Sequence, residues 1–196
     1  MRRSRSLLLA PLMIACVACS QPASDLATES ALPADPVAEP AAVIAPATAT
    51  VTLAPTEGNQ TAGTLSFTFA DGVVHAMGEV TGLKPDSQHG FHIHETGDCS
   101  APDGTSAGGH FNPATTQHGR VGEGEHHGGD SDNLASNADG VASVHASFEG
   151  VTIGDGATTD IVGKGVIVHA DADDYATQPT GNAGARLACG VIQAGG

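Results

Sequence analysis

The sequence predicts an all-β fold for most of this 196-residue chain. Three observations support this fold class. Apolar residues alternate with polar ones over many short segments, which is the pattern of half-buried strands. The large apolar side chains are chiefly Val, Ile, Leu and Phe, with no Trp and one Tyr, and β-branched residues favour strands. The 26 glycines supply the turns that many short strands require.

The first 18 residues have the composition of a secretory signal peptide. Three arginines lie near the start, and the apolar run over residues 7–15 is too short to span a bilayer. The segment Val17-Ala18-Cys19-Ser20 looks like a bacterial lipoprotein cleavage site, at which Cys19 would receive lipid. Lipidation at Cys16, or cleavage nearby as an ordinary secreted protein, is the alternative. We therefore expect a signal peptide over residues 1–18 and a lipid anchor on Cys19.

The next segment, residues 19–48, consists mainly of Ala, Pro, Thr and acidic residues. It cannot bury enough apolar surface to fold, and its prolines favour an extended tether. The folded domain then covers residues 49–196, a common size for one domain with its own core. The formal net charge of −15 makes nucleic acid and anionic lipid headgroups poor partners. An anionic substrate would need a locally positive site.

Two cysteines remain in the folded domain, Cys99 and Cys189. An even pair in a protein exported to an oxidising compartment predicts a disulfide between them. Closing a loop of about 90 residues would stabilise the fold by roughly 4 to 5 kcal/mol in the chain-entropy model.

Three strands are predicted at the start of the domain. Residues 49–53 alternate with period two and are followed by a segment that contains Pro and Gly. Residues 63–70 place three apolar side chains on one face, and an Asp-Gly turn then leads into a strand over residues 73–80. This third strand contains His75, which we interpret as a structural or exposed residue.

A short apolar strand over residues 89–95 carries two histidines, His92 and His94. Side chains at positions i and i+2 leave the same face of a strand, about 6 to 7 Å apart. Imidazole nitrogens bind metal ions at about 2.0 to 2.1 Å, so both rings could hold one ion. His89 lies three positions before His92 and therefore on the opposite face. We interpret it as a structural hydrogen-bonding residue.

The long loop over residues 97–134 is rich in Gly, Asp and His and has no apolar periodicity. Such loops are uncommon inside compact domains, and they are usually functional or disordered. Three imidazoles and one carboxylate form a closed set that suits zinc, and this loop offers His110, His118, His127 and Asp130. His126 could replace His127 as a ligand. A solvated loop without any metal is the other interpretation.

Four further strands are predicted, over residues 141–148, between residues 150 and 165, over residues 165–169 and over residues 187–193. The buried strand 165–169 ends at His169, which offers another imidazole beside His92 and His94. An all-nitrogen site with open access suits copper. A second loop, residues 170–186, follows His169.

The domain is similar to the bacterial copper-zinc superoxide dismutases, including exported and lipidated members, over nearly all of residues 49–196. The most specific matching segments are GFHIHE at 90–95, GHFNP at 109–113, HGGD at 127–130 and GNAGARLACG at 181–190. The resemblance implies disproportionation of superoxide to dioxygen and hydrogen peroxide, with one copper and one zinc per subunit.

The resemblance also implies a role for each residue of the site. Copper would be bound by His92, His94, His110 and His169. Zinc would be bound by His110, His118, His127 and Asp130, so that His110 bridges the two metals. Asp173 matches the carboxylate that links His92 to His118 and fixes the orientation of both rings.

Two residues receive catalytic roles from the same resemblance. His110 would take up a proton and deliver it later, and Arg186 matches the arginine at the mouth of the copper channel. From the residues alone, Arg186 could also be a surface or loop-bracing arginine. The loop before Arg186 contains no lysine, in contrast to the charged run of eukaryotic members, so long-range steering of the substrate does not carry over from them.

These observations together predict a Greek-key β-sandwich or flattened barrel of about eight strands with two long metal-binding loops. We expect a superoxide dismutase that is lipid-anchored in the bacterial cell envelope, on the periplasmic side. A noncatalytic copper or zinc binding module on the same fold is the alternative. A homodimer is one expectation for the assembly. An insertion over residues 100–105 is typical of bacterial relatives, whose interfaces differ from eukaryotic ones, so the oligomeric state does not carry over.

Overall fold

Ten strands and one short 3-10 helix make up the part of the chain that the computed structural model describes, residues 47–195. The strands are β1 (Thr48–Pro55), β2 (Ala62–Ala70), β3 (Val73–Thr81), β4 (Gln88–His89), β5 (Phe91–His94), β6 (Leu134–Ala135), β7 (Ala142–Glu149), β8 (Gly165–His169), β9 (Arg186–Val191) and β10 (Gln193–Ala194). The helix is Thr105–Ala107. The predicted signal peptide, the predicted tether up to residue 46 and Cys19 lie outside the described residues. Within those residues no helix combines the length and the apolar character needed to cross a membrane.

The strands form one curled antiparallel sheet and a separate ladder between β4 and β6. The order in the large sheet is β5-β8-β9-β1-β2-β3-β7, and β10 also pairs with β1. β1 connects the two halves of the sheet, because its first six residues pair with β2 whereas Ala54 and Pro55 pair with β9. This architecture confirms the predicted all-β fold.

The apolar core lies between the two halves of the curled sheet. Phe91 of β5 packs against Phe148 of β7, with ring centroids 5.9 Å apart, although these strands occupy opposite ends of the strand order. Phe67 of β2 lies 6.3 Å from Phe148. All three rings are fully buried, and burial of one such side chain stabilises a fold by about 1.5 to 3 kcal/mol. The sheet therefore closes on itself through aromatic contacts rather than through a complete ring of strand pairs.

In the described chain, the strand expected between residues 150 and 165 is missing, so this prediction was wrong. The segment contains only an isolated bridge between Thr152 and Asp160. The Asp160 carboxylate accepts hydrogen bonds from the backbone N–H groups of Gly154 and Gly156. Both glycines have left-handed φ values, 69° and 70°, which a continuous strand does not accommodate. Turn chemistry therefore replaces strand pairing here.

The predicted disulfide between Cys99 and Cys189 is confirmed, with a Cα–Cα distance of 5.7 Å. Cys189 is buried on β9, where it pairs with Ile167 of β8 and Ala54 of β1. Cys99 lies at the start of the first long loop. The bond therefore ties this loop to the middle of the large sheet.

We expect the paired substitution Cys99→Ser/Cys189→Ser to lower the free energy of unfolding by about 2 to 5 kcal/mol, because the unfolded chain is no longer cross-linked. Urea unfolding of the metal-free protein, without reductant, measures this difference. Wild-type protein treated with dithiothreitol serves as the matched control and should unfold at the same urea concentration as the variant. Equal stability of the variant and the oxidised wild type would contradict the expectation.

Candidate metal centre

Three backbone hydrogen bonds join the segments that carry the candidate ligands. The N–H of Ile93 donates to the carbonyl of Gly129 at 2.8 Å, and the N–H of Gly129 donates to the carbonyl of Phe111 at 2.8 Å. The N–H of Phe111 then donates to the carbonyl of Ile93 at 2.8 Å and closes the triangle. Ile93 lies on β5 between His92 and His94. His110 directly precedes Phe111, and Asp130 directly follows Gly129. The triangle therefore brings strand and loop ligands to one place.

A first cluster contains four buried histidines: His92, His94, His110 and His169. The side chains of His92 and His94 leave the same face of β5, as predicted, with ring centroids 6.4 Å apart. An isolated bridge between His94 and His110 brings the loop histidine to the strand, and the His110 ring lies 4.0 Å from that of His92. His169 ends β8, the partner strand of β5. One nitrogen from each ring lies within 4.8 Å of the others.

A second buried cluster contains His110, His118, His127 and Asp130. The Nδ1 atoms of the three histidines lie 2.7, 3.0 and 3.4 Å from oxygens of the Asp130 carboxylate. His126, the alternative to His127, is not in this cluster. Its Nδ1 donates to the carbonyl of His127 at 2.8 Å, and its Nε2 lies 3.7 Å from a carboxylate oxygen of Glu149.

Six buried imidazole nitrogens converge on these clusters and make no hydrogen bond within residues 47–195, because the contacts of His118 and His127 with Asp130 lack hydrogen-bond geometry. The six are His92 Nδ1, His94 Nε2, His110 Nε2, His118 Nδ1, His127 Nδ1 and His169 Nε2. A buried polar atom without a partner costs about 1 to 3 kcal/mol. Four of the atoms belong to the first cluster and two to the second. A metal ion at each cluster would satisfy all six, so these residues fit an all-nitrogen copper site and an N3O zinc site.

The other nitrogen of most of these rings is held by the protein. His94 Nδ1 donates to the carbonyl of Gly108 at 2.9 Å, and His169 Nδ1 lies 3.4 Å from the carbonyl of Gly184. Hydrogen bonds of this kind fix the tautomer and the orientation of a metal-binding imidazole. His110 differs, because its Nδ1 and Nε2 face different clusters.

Asp173 connects the two clusters from outside. Its carboxylate oxygens lie 2.7 Å from His92 Nε2 and 3.0 Å from His118 Nε2. The Asn133 side chain makes two hydrogen bonds, of 2.9 and 2.8 Å, with the backbone of Asp173. The N–H of Tyr175 donates to the Asp173 carboxylate at 2.7 Å. Asn133 and Tyr175 were not predicted from the sequence. Neither has a periodicity or a motif that would have singled it out.

Two further residues hold the histidines from a distance. His89 was predicted to be a hydrogen-bonding residue, and its Nδ1 donates to the carbonyl of His169 at 2.8 Å. The amide of Gln178 accepts a hydrogen bond from the N–H of His118 at 2.9 Å and donates to its carbonyl at 2.8 Å. Gln178 was also missed, because only the folded structure brings its loop against His118.

The local electrostatics favour the metal-binding forms of His94, His110 and Asp130, but the protonated form of His118. Burial lowers the pKa of His110 to about 4, against the opposing effect of Asp130, and burial together with His110 lowers the pKa of His94. Burial raises the pKa of Asp130, but the surrounding histidines outweigh it and the pKa falls below its usual range. Burial lowers the pKa of His118, whereas Asp130 and Asp173 raise it to about 9. A metal at His118 must therefore displace a proton.

Arg186 begins β9, where it pairs with His169 of the first cluster, and it is half-buried. Its guanidinium donates to the carbonyl of Gly104 at 2.7 Å and to that of Gly108 at 2.6 Å. The Gly108 carbonyl also accepts the hydrogen bond from His94 Nδ1. Arg186 thus braces the first long loop, one of the roles considered from the sequence, and it lines an open depression together with Thr56 and Asp103.

Comparisons with known proteins agree with this geometry. The family model described as copper/zinc superoxide dismutase (SODC) matches residues 61–192. A superoxide dismutase-like protein of Bacillus subtilis is 42% identical over 113 residues, which cover 56% of this chain and 58% of that protein. The chain therefore spans less than two thirds of that relative. The copper-zinc superoxide dismutase of Caulobacter vibrioides is 42% identical over 137 residues, which cover 67% of this chain and 78% of that protein.

A solved structure has the same fold. The crystal structure of a double mutant of a SOD-like protein from Bacillus subtilis matches with a TM-score of 0.66 and 39% sequence identity. The match covers 74% of this chain and 96% of that one. The match supports the predicted Greek-key sandwich. The family match and these relatives show that the chain belongs to the copper/zinc superoxide dismutases, a family of oxidoreductases that use copper and zinc.

Proposed function

We propose that this chain converts two superoxide anions and two protons into dioxygen and hydrogen peroxide. The observation that carries the proposal is the set of six buried imidazole nitrogens that lack a hydrogen-bond partner in the described part of the chain and divide between two clusters that share His110. His92, His94, His110 and His169 would hold copper, and His110, His118, His127 and Asp130 would hold zinc. When bound, copper supplies one-electron redox chemistry and zinc supplies a fixed positive charge.

The protein itself contributes a positioned proton carrier. Nε2 of His110 faces the first cluster, while its Nδ1 lies 2.7 Å from Asp130. The ring can therefore gain or lose a proton at Nε2 without turning. In the metal-free protein burial lowers the pKa of His110 to about 4, so the ring holds a proton only weakly and can transfer it to a stronger base such as a peroxide anion.

The protein must also attract an anion although its formal net charge is −15. Arg186 lies beside the first cluster and carries a permanent charge, because a guanidinium stays protonated. Its contacts with Gly104 and Gly108 hold this charge in place. Local focusing by such a charge raises association rates even when the whole protein repels the ligand.

We further propose export to the bacterial cell envelope and attachment on the periplasmic side through lipid on Cys19. The basic start, the short apolar run and the segment around Cys19 support this location. The disulfide also supports it, since such bonds persist in oxidising compartments.

The function is tested by inhibition of cytochrome c reduction by enzymatically generated superoxide. Protein loaded with both metals should inhibit the reduction, since its sites would then be complete. Removal of copper with a chelator should abolish inhibition, and restored copper should recover it. A protein shown by elemental analysis to contain both metals, yet without inhibition, would contradict the proposal and favour a noncatalytic binding module.

Substitutions at Arg186 distinguish the effect of its positive charge on the reaction rate from the effect of its contacts with the first long loop. Arg186→Gln should lower kcat/KM about tenfold at low ionic strength, because the local positive charge is lost. Arg186→Lys keeps the positive charge but cannot reproduce the two guanidinium hydrogen bonds to the loop. Its kcat/KM should stay within about threefold of the wild-type value. Stopped-flow decay of superoxide at several salt concentrations measures both. Equal losses in the two variants would show that bracing, rather than charge, sets the rate.

The anchor is tested by labelling cells with radioactive palmitate. The full chain should incorporate label, Cys19→Ser should lose it, and the matched variant Cys16→Ser should retain it, because lipid is attached only at the cysteine that follows the cleavage site. Labelling that follows Cys16 instead, or no labelling of the wild type, would reject attachment at Cys19.

A further inference from the structure

The outer face of β3 and β7 carries a group of soft metal-binding side chains that the two buried clusters do not use. His75 and Met77 lie two positions apart on β3, and the register pairs Met77 with His145 and His75 with Ser147 of β7. All of these except the half-buried Ser147 are exposed. Met77, at 53% exposure, is the one large hydrophobic side chain exposed among residues 47–195. Its exposure has no packing explanation.

Strand geometry places the three side chains within reach of one ion. Met77 and His145 face each other directly, a position at which Cβ atoms lie about 4.5 to 5.5 Å apart. His75 and His145 are diagonal neighbours, at about 7 to 8 Å, which long side chains can span. The thioether chain of Met77 has three rotatable bonds and adapts to irregular positions. Together they line one shallow depression.

The hydrogen bonding and charge of this face also suit a cation. Nδ1 of His75 lies 3.2 Å from the hydroxyl of Ser147, which leaves Nε2 available as a ligand. Glu79 on β3 and Glu149 on β7 share the exposed side of the sheet. The domain's lysines and arginines all lie outside β2, β3 and β7, at Lys84, Arg120, Lys164 and Arg186.

We propose that His75, Met77 and His145 bind one Cu(I) ion at the protein surface. Thioether ligands select Cu(I) over harder ions, and imidazole suits copper as well. Cu(I), like zinc, is a d10 ion and has no geometric preference from its d electrons, so a site with three protein ligands and an open side is compatible with it. This site is separate from the buried clusters and does not depend on dismutase activity.

The stoichiometry is tested with mature, untagged protein whose buried sites are already filled with copper and zinc. Anaerobic titration with Cu(I), in competition with the chromophoric ligand bicinchoninate, should show one additional equivalent. Met77→Leu, which keeps a similar volume without sulfur, and His145→Ser should each weaken this binding at least tenfold. Thr68→Ala, on the neighbouring strand of the same face, should leave it unchanged.

A second measurement identifies the ligand atom. The chain has three methionines, Met1, Met13 and Met77, and the first two lie in the predicted signal peptide. Methyl-labelled mature protein should therefore give one methionine resonance, and Cu(I), which is diamagnetic, should shift it. An absent additional equivalent, unchanged affinity in both variants, or an unshifted resonance would each overturn the proposal. Binding of Zn(II) but not Cu(I) to this face would also overturn it.

Discussion

The hydrogen-bonded triangle of Ile93, Phe111 and Gly129 is the constraint on which the metal centre depends. It is made of backbone groups only, so it fixes the paths of three distant segments without using side-chain hydrogen bonds. Each corner adjoins candidate ligands in the sequence. Gly129 is required at its corner, because a Cβ there would meet the carbonyl oxygen of Ile93. The centre is thus positioned by main-chain bonds at the edge of the core.

This arrangement has an energetic consequence for the protein without metals. Within residues 47–195, six buried nitrogens lack hydrogen-bond partners, and each costs about 1 to 3 kcal/mol. In the metal-free protein, the apolar core and the disulfide must therefore offset this cost. Ions that bind only the folded form add their binding free energy to its stability. The unpaired nitrogens therefore lower the stability of the metal-free protein, and the same nitrogens allow bound metals to raise it. Asp173, which contacts His92 and His118, couples the two clusters.

The sequence was sufficient to predict that His92 and His94 share a face, because the period of two in a strand places them there wherever the strand lies. It left His126 and His127 as alternatives, since adjacent histidines in a loop have no periodicity to separate them. The structure separates them through the Asp130 carboxylate. Contacts such as that of Gln178 with His118 involve segments 60 residues apart. They follow from loop packing that local patterns do not encode.

Beside the first cluster, the charged group of Arg186 and a ligand histidine are both linked to the backbone of the first long loop. The Gly108 carbonyl accepts hydrogen bonds from both Arg186 and His94, so the guanidinium and the imidazole orient the same peptide group. Gly108 has a φ of 74°, and a Cβ there would lie 2.6 Å from the Glu95 carboxylate. That carboxylate accepts a hydrogen bond from the N–H of Gly109 at 3.0 Å. Since β5, β9 and the loop all meet at this peptide, a change in the charged group also changes the support of His94.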